Sequence, residues 1–301
     1  MKFSTPLCIL WLLLGLSWSC TRPIPVIEDE TAYKESLKQW QQERLAGLKG
    51  KDGWLNLAGI YWLKEGEQSF GSHPSNDHVF PEKAPAFIGS LIRNGDSVHI
   101  RIHEETGAYY KGKPATELHL SYDRSGDPAY ITHGDFAWYI MKRHTSLAIR
   151  LRDYKHPSVE ALDHIPSYDI DPEYVVEAKL IPYEEEKTIT VATPFQDYTQ
   201  DYQCPGELEF KLKGQKLKLL PFISGDQYFI IISDETSGIE TYGGGRFMYV
   251  SPDDSGRIIL DFNRAYNPPC ALTPFAACPM PPRENHMPMK IEAGEKTIQG
   301  H

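Results

Sequence analysis

Apolar residues recur at the helical period in one stretch of this chain and at a period of two almost everywhere else. In Thr31–Lys49, Tyr33, Leu37, Trp40, Leu45 and Leu48 fall near helical spacing among Lys, Glu, Gln and Arg, which predicts one amphipathic helix. Glu28, Asp29 and Glu30 sit where negative charge complements a helix N-terminus, and Gly50 and Gly53 close the other end. From Trp54 the period changes. Trp54–Leu63 is densely apolar and ends in a Lys-Glu-Gly-Glu turn. Alternation then predicts strands at Asp96–His103, after an Asn94-Gly95 turn signal, and at Glu117–Tyr122.

Phe136–Met141 and Leu147–Leu151 read as a hairpin around Arg143-His144-Thr145. Strands follow at Tyr174–Leu180, Thr188–Ala192, Glu207–Lys213, Lys216–Leu220, Gln227–Ser233, Glu240–Val250 and Arg257–Phe262. Short strands with turns and no helices between them specify antiparallel sheets. The expected fold class is mainly β: an antiparallel sandwich or barrel-like sheets, one N-terminal helix (31–49) and a long Pro-rich C-terminal loop. Residues 31–301 read as a single β-rich domain, with a soft boundary around Tyr154–Pro172.

The first thirty residues read differently. Lys2 supplies a positive start, Pro6–Leu16 an apolar stretch too short to span ~30 Å of hydrocarbon, and Ser17-Trp18-Ser19-Cys20 the end. A Cys directly after such a stretch resembles a bacterial lipoprotein signal, with 1–19 removed and Cys20 lipidated. An ordinary cleaved signal with an incidental Cys20 is the competing reading. Residues 20–30 suit a tether, and the expected location is the cell envelope, lipid-anchored at the periplasmic face or outer membrane.

Composition narrows the partners. Thirty-one basic and 41 acidic residues give a formal charge of −10, and 41% of the chain is hydrophobic. Nucleic acid is an improbable partner without a basic footprint, and a disordered or multispan membrane chain is excluded. Of five cysteines, Cys8 leaves with the signal and Cys20 carries lipid, so Cys204, Cys270 and Cys278 remain. The odd number leaves at least one thiol unpaired within the chain. No CxxC or HxxxH accompanies them, and neither a metal nor a cofactor is expected.

The densest chemistry lies toward the C-terminus. A proline-fixed loop gathers Asn263, Arg264, Tyr266, Asn267, Cys270, Cys278, Arg283 and Asn285 after Tyr242 and Arg246. Loops this long without regular structure are usually functional or disordered, and the aromatics and prolines argue against disorder. Polar side chains satisfying the loop's own backbone is an equally good account of the same residues. Gly243-Gly244-Gly245 is not a phosphate loop, since no Lys-Ser/Thr follows; it fits close backbone approach or a bulge.

Met141-Lys-Arg143, Ala148-Ile-Arg-Leu-Arg-Asp153, Thr241-Tyr-Gly-Gly-Gly-Arg-Phe247, Asp261–Ala271, Cys278-Pro-Met-Pro-Pro-Arg-Glu-Asn285 and Ala293-Gly-Glu295 resemble a bacterial and archaeal family, DUF1684. The resemblance runs over roughly Lys34–Glu295, including Gly53-Trp54-Leu55 and Gly59–Leu63. Met280 stands where the family commonly has Leu, and His286-Met287 where it has Arg-Leu. The family carries no established reaction, so the resemblance implies no chemistry.

Weaker candidates remain. His99, Arg101 and His103 share a strand face, but the cation between the imidazoles favours a solvated polar face over a metal site. Asp261 is expected to be braced by Arg246 and Arg264. No GxSxG, HExxH, SxxK or EF-hand pattern occurs. Cys270 is the best nucleophile candidate, its thiolate favoured by Arg264 unless a disulfide to Cys278 disables it. The expected function is binding, with turnover as an extension, of a small polar or anionic molecule in a C-terminal pocket lined by Arg143, Tyr242, Arg246, Asn263, Arg264, Tyr266, Asn267 and Cys270. The other readings are a structural or interaction lipoprotein without a ligand, and a thiol-dependent hydrolase or transferase.

Overall fold

The computed structural model describes residues 26–123, 125–194 and 199–298. The expected export signal 1–19, Cys20 and the first half of the expected tether 20–30 lie outside the described residues. The helix spans Glu30–Lys49, one residue longer than its periodicity predicts. Asp29 caps it by accepting the Ala32 N–H at 3.0 Å, and Leu37 and Leu48 are buried on its inner face. Among the described residues no helix is long and apolar enough to cross a membrane.

The rest is mainly antiparallel β. In the first half, Leu57–Trp62, Ser146–Asp153, Phe136–Arg143 and Ile131–His133 are consecutive neighbours in a six-stranded sheet that ends in the short pair Tyr109–Tyr110 and Lys113–Pro114. A five-stranded sheet built on Gly66–Gly71, Gly89–Asn94 and Ser97–Ile102 packs against it around Phe70, Ile100, Trp138 and Ile149. The second half has two four-stranded sheets. One carries Val175–Ala192 beside Thr199–Leu212, and the other Gln227–Asp234 beside Arg246–Val250; Leu208, Ile230, Leu260 and Phe262 lie in the core of this half.

Alternation along Ser146–Asp153 positions the site. Leu147, Ile149 and Leu151 turn into the first core, so Arg150 and Arg152 project from the opposite face. That face is not solvated. The turn after the helix covers Arg152, which donates to the Gly53 carbonyl at 2.6 Å and Asn56 Oδ1 at 2.7 Å. The C-terminal loop covers Arg150, whose Nη2 donates to the Phe275 carbonyl at 3.3 Å.

Four expected strands differ. Tyr174–Leu180 and Thr188–Ala192 are one strand, Val175–Ala192, whose pairing is interrupted between Pro182 and Lys187; the acidic run there stays extended instead of forming a turn. Glu117–Tyr122 shortens to Glu117–His119. Glu240–Val250 is a strand only from Arg246. Before it, the Thr241 N–H donates to the Thr236 carbonyl at 3.1 Å, and Tyr242–Gly245 closes a turn at 3.0 Å. Gly245 has φ +84°, and a Cβ there would lie 2.5 Å from the Ile232 carbonyl oxygen, so the backbone reaches the sheet only through glycine.

Candidate functional site

The C-terminal motif proves to be densely bonded to itself. Arg246, only 1% exposed, donates to Asp234 at 2.8 Å, to the Ile291 carbonyl at 3.0 Å and to the Ala293 carbonyl. Asn263 donates to Tyr33 at 3.0 Å and to the Asp171 carbonyl at 2.8 Å, while its Oδ1 accepts the Asp171 N–H at 3.1 Å. Asn267 donates through its backbone to Glu295 at 2.6 Å and through its amide to the Lys296 carbonyl at 2.7 Å. Tyr266 lies beneath the Arg44 guanidinium at 4.4 Å, and burial pushes its phenol well above the ordinary range. The Tyr242 hydroxyl donates to the Cys270 carbonyl at 3.4 Å.

The expected brace around Asp261 has different members. Arg264 is there at 3.2 Å, but the second partner is the Tyr33 hydroxyl at 2.8 Å. Arg246 is absent because strand pairing sets it opposite Ile232, two residues from Asp234, which takes it instead. Arg264 also lies 5.5 Å over the Trp40 ring and not beside the thiols.

Cys204, Cys270 and Cys278 are all free. The Cys270 backbone N–H donates to Cys278 Sγ at 3.0 Å. Hydrogen bonding from Cys278, resisted by burial and helped by Tyr242, holds the Cys270 thiol below the ordinary value. The same contact and burial push the Cys278 thiol strongly up. The cation whose charge reaches this pair is Arg150, acting on Cys278, and not Arg264.

Between the two halves lies a cavity of about 990 Å³. Trp54, Trp62, Arg143 and Arg150 line it from the first half; Tyr202, Phe229, Tyr249 and Cys278 line it from the second. Of the residues selected from sequence, Arg143 alone reaches this wall, where Asp123 already holds it at 2.7 Å. The others stand in the bonded motif behind it.

Arg150 is the unusual group. It is 6% exposed, lies 5.6 Å from the Trp54 ring, and enters no ion pair among the described residues. Its Nε has no hydrogen-bond partner. Burial pulls its pKa down, opposed by Tyr139. A guanidinium so placed has donors to offer a carboxylate, phosphate or sulfonate entering the cavity. No group of three or more His, Cys, Asp or Glu that could hold a metal ion occurs among the described residues, and His99 instead approaches Glu117 at 3.3 Å, beside Arg101.

The family of proteins of unknown function DUF1684 matches residues 160–296. The chain belongs to the DUF1684 family. The matched residues hold the bonded motif and one wall of the cavity; the quoted Trp54, Gly59–Leu63 and Arg150 segments precede them. An uncharacterized protein from gene locus rrnAC0354 of Haloarcula marismortui, solved in solution by NMR, is 33% identical, covering 47% of this chain and 80% of its own, with a TM-score of 0.40. No curated protein matches.

Sequence reasoning passed over Arg150, the aromatic walls, and the pairing of Arg44 with Glu295 in this DUF1684 chain. Arg150 had a visible signal. Two arginines alternating with Leu151 in an otherwise apolar strand must share a face, and that face needed a cover. The aromatics are scattered over nearly 200 residues, and only folding brings them together.

Proposed function

We propose that this chain binds a small anionic molecule in the cleft between its halves, with Arg150 as the counter-charge. One observation carries the reading: a buried guanidinium facing a large cavity without a carboxylate beside it. A buried cation without a counter-charge is costly, by several kcal/mol, and an incoming anion would supply one. Arg143, at the rim and already paired with Asp123, would steer an anion inward more than hold it.

A second reading, thiol-dependent hydrolysis or transfer, is supported by the lowered Cys270 thiol behind a Cys278 that lines the same cavity. The proposed setting is the cell envelope, with Cys20 carrying lipid. The short apolar stretch before Cys20 and the tether after it support that assignment.

Calorimetric titration with sulfate, phosphate and propanoate tests the anion reading. Binding should be lost in Arg150→Met. That variant should also be neutral or more stable than wild type when empty, by up to about 4 kcal/mol, because a buried charge is replaced by an apolar chain. Undiminished anion binding in Arg150→Met would sink the proposal.

A further inference from the structure

We infer that the anion is a planar aromatic one, an arene carboxylate or sulfonate held between ring-bearing walls; this rests on the anion reading above. The cavity has aromatic side chains on both sides, contributed by separate halves of the chain. Trp54 and Trp62 stand on one wall, and Tyr202, Phe229 and Tyr249 on the other. Trp62 and Tyr249 are 44% and 47% exposed, so both rings are open to a ligand entering the cleft.

The rings of the second wall are held in a fixed arrangement. Phe229 stacks on Tyr249 with centroids 4.9 Å apart and planes 27° apart. Phe247, which also lines the cavity, meets Phe229 edge-on at 4.9 Å and 86° and fixes its orientation. Such a surface favours a flat partner by offset stacking, beyond the area it buries. On the first wall the Arg150 guanidinium lies 5.6 Å from the Trp54 ring, so charge recognition and ring recognition meet at one end of the cleft. A volume of about 990 Å³ admits two or more fused rings. An aliphatic chain would fill the space without using the flat faces.

The test is calorimetry on the full chain with 2-naphthoate, its saturated counterpart decahydro-2-naphthoate, and propanoate. The first two share one skeleton and one charge and differ in planarity and aromaticity. Naphthoate should bind at least fivefold tighter than the saturated acid and far tighter than propanoate. In Trp62→Leu and Tyr249→Leu, each checked for wild-type folding by its melting curve, the ratio of the two ring acids should fall below fivefold. A wild-type ratio below fivefold overturns the aromatic assignment, as does a ratio unchanged in both variants. Where Arg150→Met still abolishes binding of both ring acids, only the aromatic assignment falls. If none of the three acids binds wild type, both readings fall together.

Discussion

Arg44 of the N-terminal helix is ion-paired with Glu295, 251 residues later, and both side chains are largely buried. Arg44 Nη2 also donates to Glu295 Oε2 at 3.1 Å and to the Asn267 carbonyl at 2.9 Å, and the guanidinium caps the Tyr266 ring. The N-terminal helix is thereby locked onto the motif behind the cavity. Removing one member leaves the other charged and unpaired, so Arg44→Met should cost about 3–5 kcal/mol in urea unfolding. The double variant Arg44→Met, Glu295→Met should recover much of that loss. A cost below about 0.5 kcal/mol for Arg44→Met would mean that the helix is not fastened here.

A second tie, Tyr33 to Asp261, predicts a pH dependence. Burial raises the Asp261 carboxyl, and it outweighs the lowering by Tyr33, Arg264 and Asn263. A carboxyl with a folded pKa above its unfolded value contributes stability that is full below the unfolded value, ~4, and is lost as pH rises through the folded one. Asp261→Asn keeps an oxygen acceptor for Tyr33 and removes the titration. The variant should gain on wild type as pH rises from about 4 through the raised pKa of the carboxyl. Melting curves at intervals across that range decide it, and a difference that does not change with pH rejects the account.

The period-two segments and the single amphipathic helix were legible because each buries one face, and turn residues marked most strand ends. Tyr174–Leu180 and Thr188–Ala192 read as two strands because Glu184-Glu185-Glu186 breaks the alternation, whereas pairing with Thr199–Leu212 on both sides of that interruption makes them one. The C-terminal motif was visible as a concentration of polar residues, but not its purpose. Arg246, Asn263 and Asn267 are spent on carbonyls and carboxylates supplied from segments up to 92 residues away. Whether a polar side chain faces a ligand or a backbone depends on those distant acceptors, which no local pattern encodes. Arg150 is the converse: its chemistry follows from the carboxylate that is not beside it.

The proposed lipid attachment at Cys20 has a direct consequence for fractionation. Two acyl signals hold a protein on a membrane, whereas one chain anchors only marginally. Wild type should partition with the detergent-extractable membrane fraction, and Cys20→Ala should move to the soluble fraction. Identical soluble behaviour of the two would end the lipoprotein proposal.

The thiols separate the binding and thiol-chemistry readings. In unfolded, unreduced protein Cys204, Cys270 and Cys278 should all take up alkylating reagent, because all three are free. In the native state Cys270 should react fastest, since Cys278 and Tyr242 stabilise its thiolate. Cys204 and Cys278 should both be slower, because both are buried and burial pushes both thiols up. Cys278 lines the cavity near Arg150, so its labelling should be slowed by bound 2-naphthoate while that of Cys204 is not. Anionic iodoacetate should lose more of its rate at Cys278 in Arg150→Met than neutral iodoacetamide does, because only the former is attracted by the guanidinium. Labelling of Cys204 alone, with a mass lower by two hydrogens, would mean a Cys270–Cys278 bridge. That result would remove the thiols as reagents while leaving Arg150 and the anion reading untouched.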